Sequence, residues 1–490
     1  MTSQRLATLG VFWGVIERAT TQGVSFVVVL LLARLLGPES YGLVALAATI
    51  ALLGQSLLGE TFSQALIQQK ALAPAHASSL FWILLGAGLI ATVLQIVLAD
   101  SVAAVFAEPE LGPILRALSP LLFIAALQAV PAALFKRELK FRALAAAFVN
   151  GTVFGGIAGV ALAYSGFGAW SIVANLLLQN ALITASIWRQ SPFRPLLAYS
   201  SSRLFELWSY GQYTLLLRVA AFTANQGPRI LVGYLFGPLA LGAFSLGLRL
   251  IEMLYQLLTL PAVNVAIAMI AKLRDEPKGL ERAILEVTQL SVMVSAPVFV
   301  MLALIAPFAV PLLFGSNWTE SIEIIQILCA YGVVGSCGLI WGSIVAGLGR
   351  PDITLRTTTI AAIVSLVVLL LTARYGLAAA SIAFVIRGYV TLPFMPVVIA
   401  QLTGITAQKQ YGVLVPILGS VAIMGGVVEG LIIMLSGLLS PLALTAAAVA
   451  LGALIYTLAL YVFAPTALRL SASFLAHLRP NRHILEARSS

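Results

Sequence analysis

A chain of 490 residues in which 60% are hydrophobic and only 9% are charged cannot cover itself in water, since a soluble protein carries about 25% charged residues. Its mean hydropathy of +1.03 calls for lipid as the outer surface. The formal net charge of +10 therefore reads as a record of membrane topology and not as a nucleic-acid footprint.

The chain opens with MTSQRLATLGVFWG. One arginine and the lack of a compact apolar core with a small-residue cleavage site make this a retained first helix rather than a cleaved signal. A bilayer crossing needs about 20 mostly apolar residues. Such windows recur, punctuated by Gly-Pro, Glu-Pro-Glu and clusters of Lys and Arg. They predict about fourteen spans near 11–35, 41–66, 79–99, 112–135, 143–164, 168–188, 207–235, 240–270, 284–312, 321–346, 356–373, 377–400, 411–435 and 441–463. The fold class expected is an all-α integral membrane protein.

Charge tests that division. With both termini and the even-numbered loops on one side, that side holds twenty basic residues, from Arg5 to Arg488, and the opposite loops hold only Arg34 and Arg374. Cytoplasmic loops carry the excess of Lys and Arg. An even number of crossings with both ends in the cytoplasm is expected. Cys329 and Cys337 lie eight positions apart on one expected helix. At about 1.5 Å per residue they stand ~12 Å apart, beyond disulfide reach, and read as packing residues. No metal site or cofactor is expected.

The sequence also repeats. At a shift of 200, Gly37, Pro38 and Gly42 fall on Gly237, Pro238 and Gly242, with Arg18 on Arg218, Leu35 on Leu235 and Leu46 on Leu246. At about 210, SGFGAWSIV (165–173) meets YGLAAASIA (375–383), and FAEPELGPIL loosely meets FGSNWTESIEII. A six-helix unit crosses an even number of times, so its copy points the same way, as in transporters with parallel repeats. The expected organisation is a six-helix lobe over 1–200, a second over 201–402, two extra helices over 403–465 and a cytoplasmic tail over 466–490.

The spans, the repeat, the opening ARLLGPESYGL and the fourth loop FKRELKFRAL together resemble the polysaccharide flippases, the Wzx-like branch of the multidrug/oligosaccharidyl-lipid/polysaccharide exporter superfamily. The resemblance implies a V-shaped pair of helix bundles around a central cavity, in the bacterial inner membrane. It implies passage of an undecaprenyl-pyrophosphate-linked oligosaccharide from the cytoplasmic to the periplasmic leaflet. Among partners it implies the lipid bilayer and the polysaccharide polymerase and export machinery.

Ionisable residues inside spans are the sharpest local signal, because each costs about 2.5–3.5 kcal/mol at a helix centre on an insertion scale. Arg249, Glu252 and Arg387 fall near the expected midplane, and Arg229 in the outer half. Arg18, Arg218 and Glu60 fall near the cytoplasmic edge, where long side chains snorkel. Arg249 and Glu252 are three apart and either pair or serve a substrate. Arg387 has no acidic neighbour within a turn, so another group or a substrate anion must meet it. Glu60, Glu252 and Glu429 are candidates for proton coupling or for charge partners.

The matched first-lobe positions of Arg229, Arg249 and Arg387 are the neutral Val29, Thr49 and Leu177, whereas the first lobe offers Gln22, Gln55, Asn175 and Gln179. Guanidinium groups suit a pyrophosphate bidentately, and amides suit sugar hydroxyls. The expectation is a divided cavity, with helix–helix hydrogen bonds as the alternative for the amides and as the reading preferred for Asn150 and Asn180. Gly151, Gly155 and Gly159 form a packing stripe. Gly227 and Pro228 mark a hinge, and Pro261 is among several further kink positions.

Three rivals stand beside the proposed cargo and role, the first being flipping of the peptidoglycan precursor, against which the Wzx-like opening and fourth loop favour surface polysaccharide. A drug exporter of the same superfamily usually needs a buried carboxylate, against the arginine-rich interior. A membrane polymerase or ligase typically needs a sizeable outer domain, against a longest outer segment of about 99–112.

Overall fold

The structure, a computed structural model, describes residues 3–59, 66, 74–196 and 201–465. Among them the chain is a succession of helices without a strand: α1 (Ser3–Gly59), α2 (Pro74–Val105), α3 (Leu111–Leu118), α4 (Pro120–Arg137), α5 (Phe141–Tyr164), α6 (Trp170–Gln190), α7 (Ser201–Leu254), α8 (Leu260–Leu273) and α9 (Pro277–Phe314). There follow α10 (Ser321–Gly347), α11 (Pro351–Thr372), α12 (Leu377–Thr391), α13 (Phe394–Thr403), α14 (Ala407–Gly412), α15 (Val415–Leu435) and α16 (Pro441–Phe463). Prolines open many of them, where a missing N–H goes unnoticed. The Ser440 hydroxyl caps α16 by accepting from the Ala443 N–H.

Twelve stretches among the described residues are long and apolar enough to cross a membrane. This is an all-α multi-pass membrane fold. Two stretches, Arg18–Leu57 and Arg218–Leu273, run to 40 and 56 residues. At about 1.5 Å per residue even the shorter is twice a hydrocarbon core of about 30 Å.

Each of these long helices is broken once. Gly37 has φ 78° and ψ 173°, and Gly237 has φ 79° and ψ −177°, a region only glycine enters freely. Proline follows in both cases, disfavouring a helical residue before it and starting the next helical run. The 200-residue repeat is thus present in the backbone as two breaks of the same shape.

By contact the chain divides into two compact units. The first comprises residues 1–249, 313–321 and 358–383, and the second 250–312, 322–357 and 384–490. In the first unit the two breaks lie against each other. A Cβ on Gly42 would fall on the Pro238 carbonyl oxygen, and one on Gly242 on the Pro38 carbonyl oxygen.

The flanking loops are exchanged just as reciprocally. Glu108 reaches to 4.0 Å from where a Gly237 Cβ would stand, and Asn317 to the same distance from that of Gly37. Phe106 meets Tyr234 edge to face at 5.9 Å. Trp318, fully buried, donates its indole N–H to the Ala33 carbonyl at 2.9 Å. That carbonyl is among the last four before the break, which a helix end leaves needing donors.

The glycine stripe packs as expected. Gly155 sits against Gln179 and the Asn175 carbonyl, Gly159 against Asn175, and Gly151 against Ile183. Side chains there would push α5 off α6. In the second unit an apolar core gathers Ile270, Ile284, Trp341, Ile344, Ile417 and Met424. Cys329 and Cys337 are both free and buried.

Candidate functional site

The second unit holds a buried cation on an aromatic platform. Arg387, on α12, is only 6% exposed. Its guanidinium carbon stands 4.1 Å from the Phe384 ring centroid and 5.2 Å from that of Tyr331. One guanidinium N–H donates to the Tyr331 hydroxyl at 3.1 Å. Phe384 is one turn back on the same helix, so helical spacing alone places it under the guanidinium. Ring faces carry the negative part of the aromatic quadrupole and offset part of the loss of hydration, by about 0.5–2 kcal/mol for a desolvated pair.

Tyr331 comes from α10 and is itself held. Its ring meets Phe384 edge to face at 4.8 Å, and a Cβ on Gly388 of α12 would stand 3.2 Å from it. Tyr255 donates its hydroxyl to the Tyr331 and Gly332 carbonyls, each at 3.1 Å. It occupies the notch left by Gly335, and Phe299 fills the one left by Gly332. Tyr255 opens a π-helical turn, Tyr255–Thr259. Pro261 follows at once, and lacking an N–H for the carbonyl four residues back it favours this local widening.

Arg229, 8% exposed in the first unit, donates to Gln226 Oε1 at 2.6 Å. Arg249, Glu252 and Arg218 are half-buried, Arg18 is exposed, and Glu429 lies on an exposed face of α15. Glu60 falls outside the described residues. A Cβ on Gly227 would stand 3.0 Å from a Leu366 methyl and Pro228 is buried, while the non-helical residue of α7 is Gly237.

The amides divide. Gln179 donates across to the Thr152 hydroxyl at 3.3 Å. Asn180 turns back onto its own helix at the Leu176 carbonyl, and Asn150 is exposed. Asn180 thus does not make the interhelical hydrogen bond expected of it, because a short amide on a helix reaches its own i−4 carbonyl first, and Gln179 makes one instead. Gln55 is half-buried. Gln22 Oε1 and Asn175 Oδ1 are buried acceptors to which the structure gives no hydrogen-bond partner. Among the described residues no three His, Cys, Asp or Glu side chains gather as a metal site would require.

Near the ends of their helices, Arg116 pairs with Asp100 at 2.9 Å, both side chains partly exposed. Burial, and then the negative charges of Glu39 and Glu110, push the Glu108 carboxyl above its ordinary pKa. The folded chain then binds this proton more readily than the unfolded chain does. Its contribution lowers stability as pH rises from the unfolded towards the folded pKa, and the deficit persists above. Glu108→Gln is expected to melt slightly higher than the parent at neutral pH and equally well below the carboxylate range. Thermal unfolding in detergent across pH reads this.

The fold is that of a known class. It superposes on the lipid II flippase MurJ in its inward closed conformation with a TM-score of 0.79 at 13% identity, covering 94% of this chain and all of that one. It is also similar in fold to the inward-facing conformation of a multidrug resistance MATE family transporter of the MOP superfamily, with a TM-score of 0.59 at 18% identity, covering 79% of this chain and 95% of that one.

The particular family follows from sequence. The chain belongs to the polysaccharide biosynthesis protein family, which it matches over residues 31–323. Its relatives include the succinoglycan biosynthesis transport protein ExoT of Rhizobium meliloti (strain 1021), 26% identical over 334 residues and 68% of each chain. The lipopolysaccharide biosynthesis protein WzxC of Escherichia coli (strain K12) is 22% identical over 349 residues and 71% of each chain. With these relatives the chain is a transporter rather than an enzyme.

Proposed function

We propose that this protein is a flippase carrying an undecaprenyl-pyrophosphate-linked oligosaccharide repeat unit from the cytoplasmic to the periplasmic leaflet of the bacterial inner membrane. The observation that carries the reading is Arg387, a cation buried in an apolar helix of a polysaccharide biosynthesis transporter and held on an aromatic platform. A buried guanidinium is retained against a large desolvation penalty, and planar bidentate recognition of phosphate is the chemistry it performs best. Arg229, Arg249, Arg218 and Arg18 extend the cationic set. Gln22 and Asn175, with their buried acceptors, are suited to sugar hydroxyls, and Gln55 and Gln179 complete the neutral set.

In this reading the breaks at Gly37 and Gly237 divide the two longest stretches into two crossings each. That gives fourteen spans, arranged as lobes over 1–200 and 201–402 plus helices over 403–465, with both ends in the cytoplasm. Transport proceeds by alternating access, with bending at Gly227 and Pro228. Glu60, Glu252 and Glu429 are the carboxylates available for coupling or charge balance.

The test is a deletion strain analysed by mass spectrometry of its lipid-linked intermediates. A complete repeat unit accumulating on the carrier lipid, cleared by the restored gene, is the expected result. An intermediate pool identical to the parent's sinks the proposal.

A further inference from the structure

We propose that Tyr331 and Tyr255 are positioning residues for anion binding, acting through Arg387 rather than on the substrate. This rests on the reading of Arg387 as the ligand of a lipid-linked pyrophosphate. The structure shows a relay of contacts across three elements of the second unit. The π-helical turn carries Tyr255, whose hydroxyl bonds the Tyr331 and Gly332 carbonyls on α10. The Tyr331 side chain then receives an Arg387 N–H and lies edge to face with Phe384, the ring beneath the guanidinium.

A guanidinium binds an anion bidentately only when its plane is set. Arginine has about 2 kcal/mol of rotamer entropy to lose, and less is lost on binding when the fork is already oriented. The hydroxyl of Tyr331 fixes one edge of the plane and Phe384 fixes its face. Tyr255 fixes the backbone from which Tyr331 projects. The notches at Gly332 and Gly335 beside that carbonyl pair admit Phe299 and Tyr255, so the segment carrying Tyr331 is clamped on the side facing the π turn and α9. Thr259, at the other end of the π turn, lies 3.4 Å from Ser336 and holds the turn against the same helix.

The experiment uses the full chain in lipid nanodiscs, titrated with inorganic pyrophosphate by calorimetry, with melting temperatures taken alongside. Tyr331→Phe keeps the ring and removes one hydroxyl, and is expected to weaken binding about three- to tenfold, the range for an ordinary hydrogen bond, since the hydroxyl acts on the anion only through the arginine. Tyr255→Phe still fills its notch and is expected to weaken binding about two- to fivefold. The readout that separates positioning from a structural role is the double-mutant cycle with Arg387→Gln.

If the tyrosines act through Arg387, neither substitution weakens binding further once the arginine is gone. Equal weakening in both backgrounds overturns the inference. So does wild-type binding by both tyrosine variants while Arg387→Gln is impaired, which leaves the anion reading intact. Arg387→Gln binding pyrophosphate as the parent does sinks the anion reading itself. Should Tyr331→Phe fail to fold, Phe384→Leu, which removes the face beneath the guanidinium, reads the same coupling.

Discussion

Arg387→Gln is expected to abolish export of the glycan while leaving the protein in the membrane at its normal level. The two consequences separate because the residue's energetics oppose each other. Removing a 6% exposed cation relieves a desolvation penalty. It also forfeits the contacts with Phe384 and Tyr331, worth about 0.5–2 kcal/mol where desolvated. Stability therefore changes little. Binding of a pyrophosphate loses charge-assisted hydrogen bonds of about 1.5–3 kcal/mol each, a fall of at least tenfold. Accumulated lipid-linked repeat units, quantified beside a Western blot of the variant, measure this. Arg387→Lys keeps the charge but not the fork, and is expected to restore only part of the export. Full export by the glutamine variant would remove the arginine from the mechanism.

The second large effect is expected at Gly42 and Gly242. Alanine at either position puts a Cβ onto a proline carbonyl oxygen of the other broken helix. The obstructing group is backbone and an alanine Cβ has no rotamer to change, so the helices themselves must separate. Overpacking ordinarily costs about 1–3 kcal/mol, and a backbone collision belongs at the upper end. Each single variant is expected to melt several degrees lower in detergent and to lose export. Gly86, helical and with open space where a Cβ would stand, is the control. Gly86→Ala is expected to be neutral or slightly stabilising, as alanine is the better helix former. Equal melting of Gly42→Ala and Gly86→Ala would show that the close approach is not needed.

The sequence revealed these features unevenly, for physical reasons. A positive φ followed by proline leaves a chemical mark, Gly-Pro, so the breaks at 37 and 237 were legible as a repeat. Their mutual contact was not, because nothing in a periodic apolar run says which helices touch. Arg387 was legible because a cation in an apolar span is costly and therefore informative. Of its platform, only Phe384 could have been read locally, one turn away. Tyr331 lies 56 positions off, and Tyr255 is recruited by a π turn whose one sequence mark is Pro261. The amides misled for a simple reason. An Asn within a helix looks the same whether it serves a ligand, a neighbouring helix or, like Asn180, its own carbonyl.

The exchange of loops at the two breaks is geometrically twofold but chemically lopsided. Trp318 stakes one half with a buried N–H donor to Ala33. The reciprocal loop instead brings a ring contact, Phe106 on Tyr234, and Glu108, which faces other negative charges. The Glu108 side can gain or lose a proton and the Trp318 indole cannot, so the two sides of the joint are expected to respond unequally to pH.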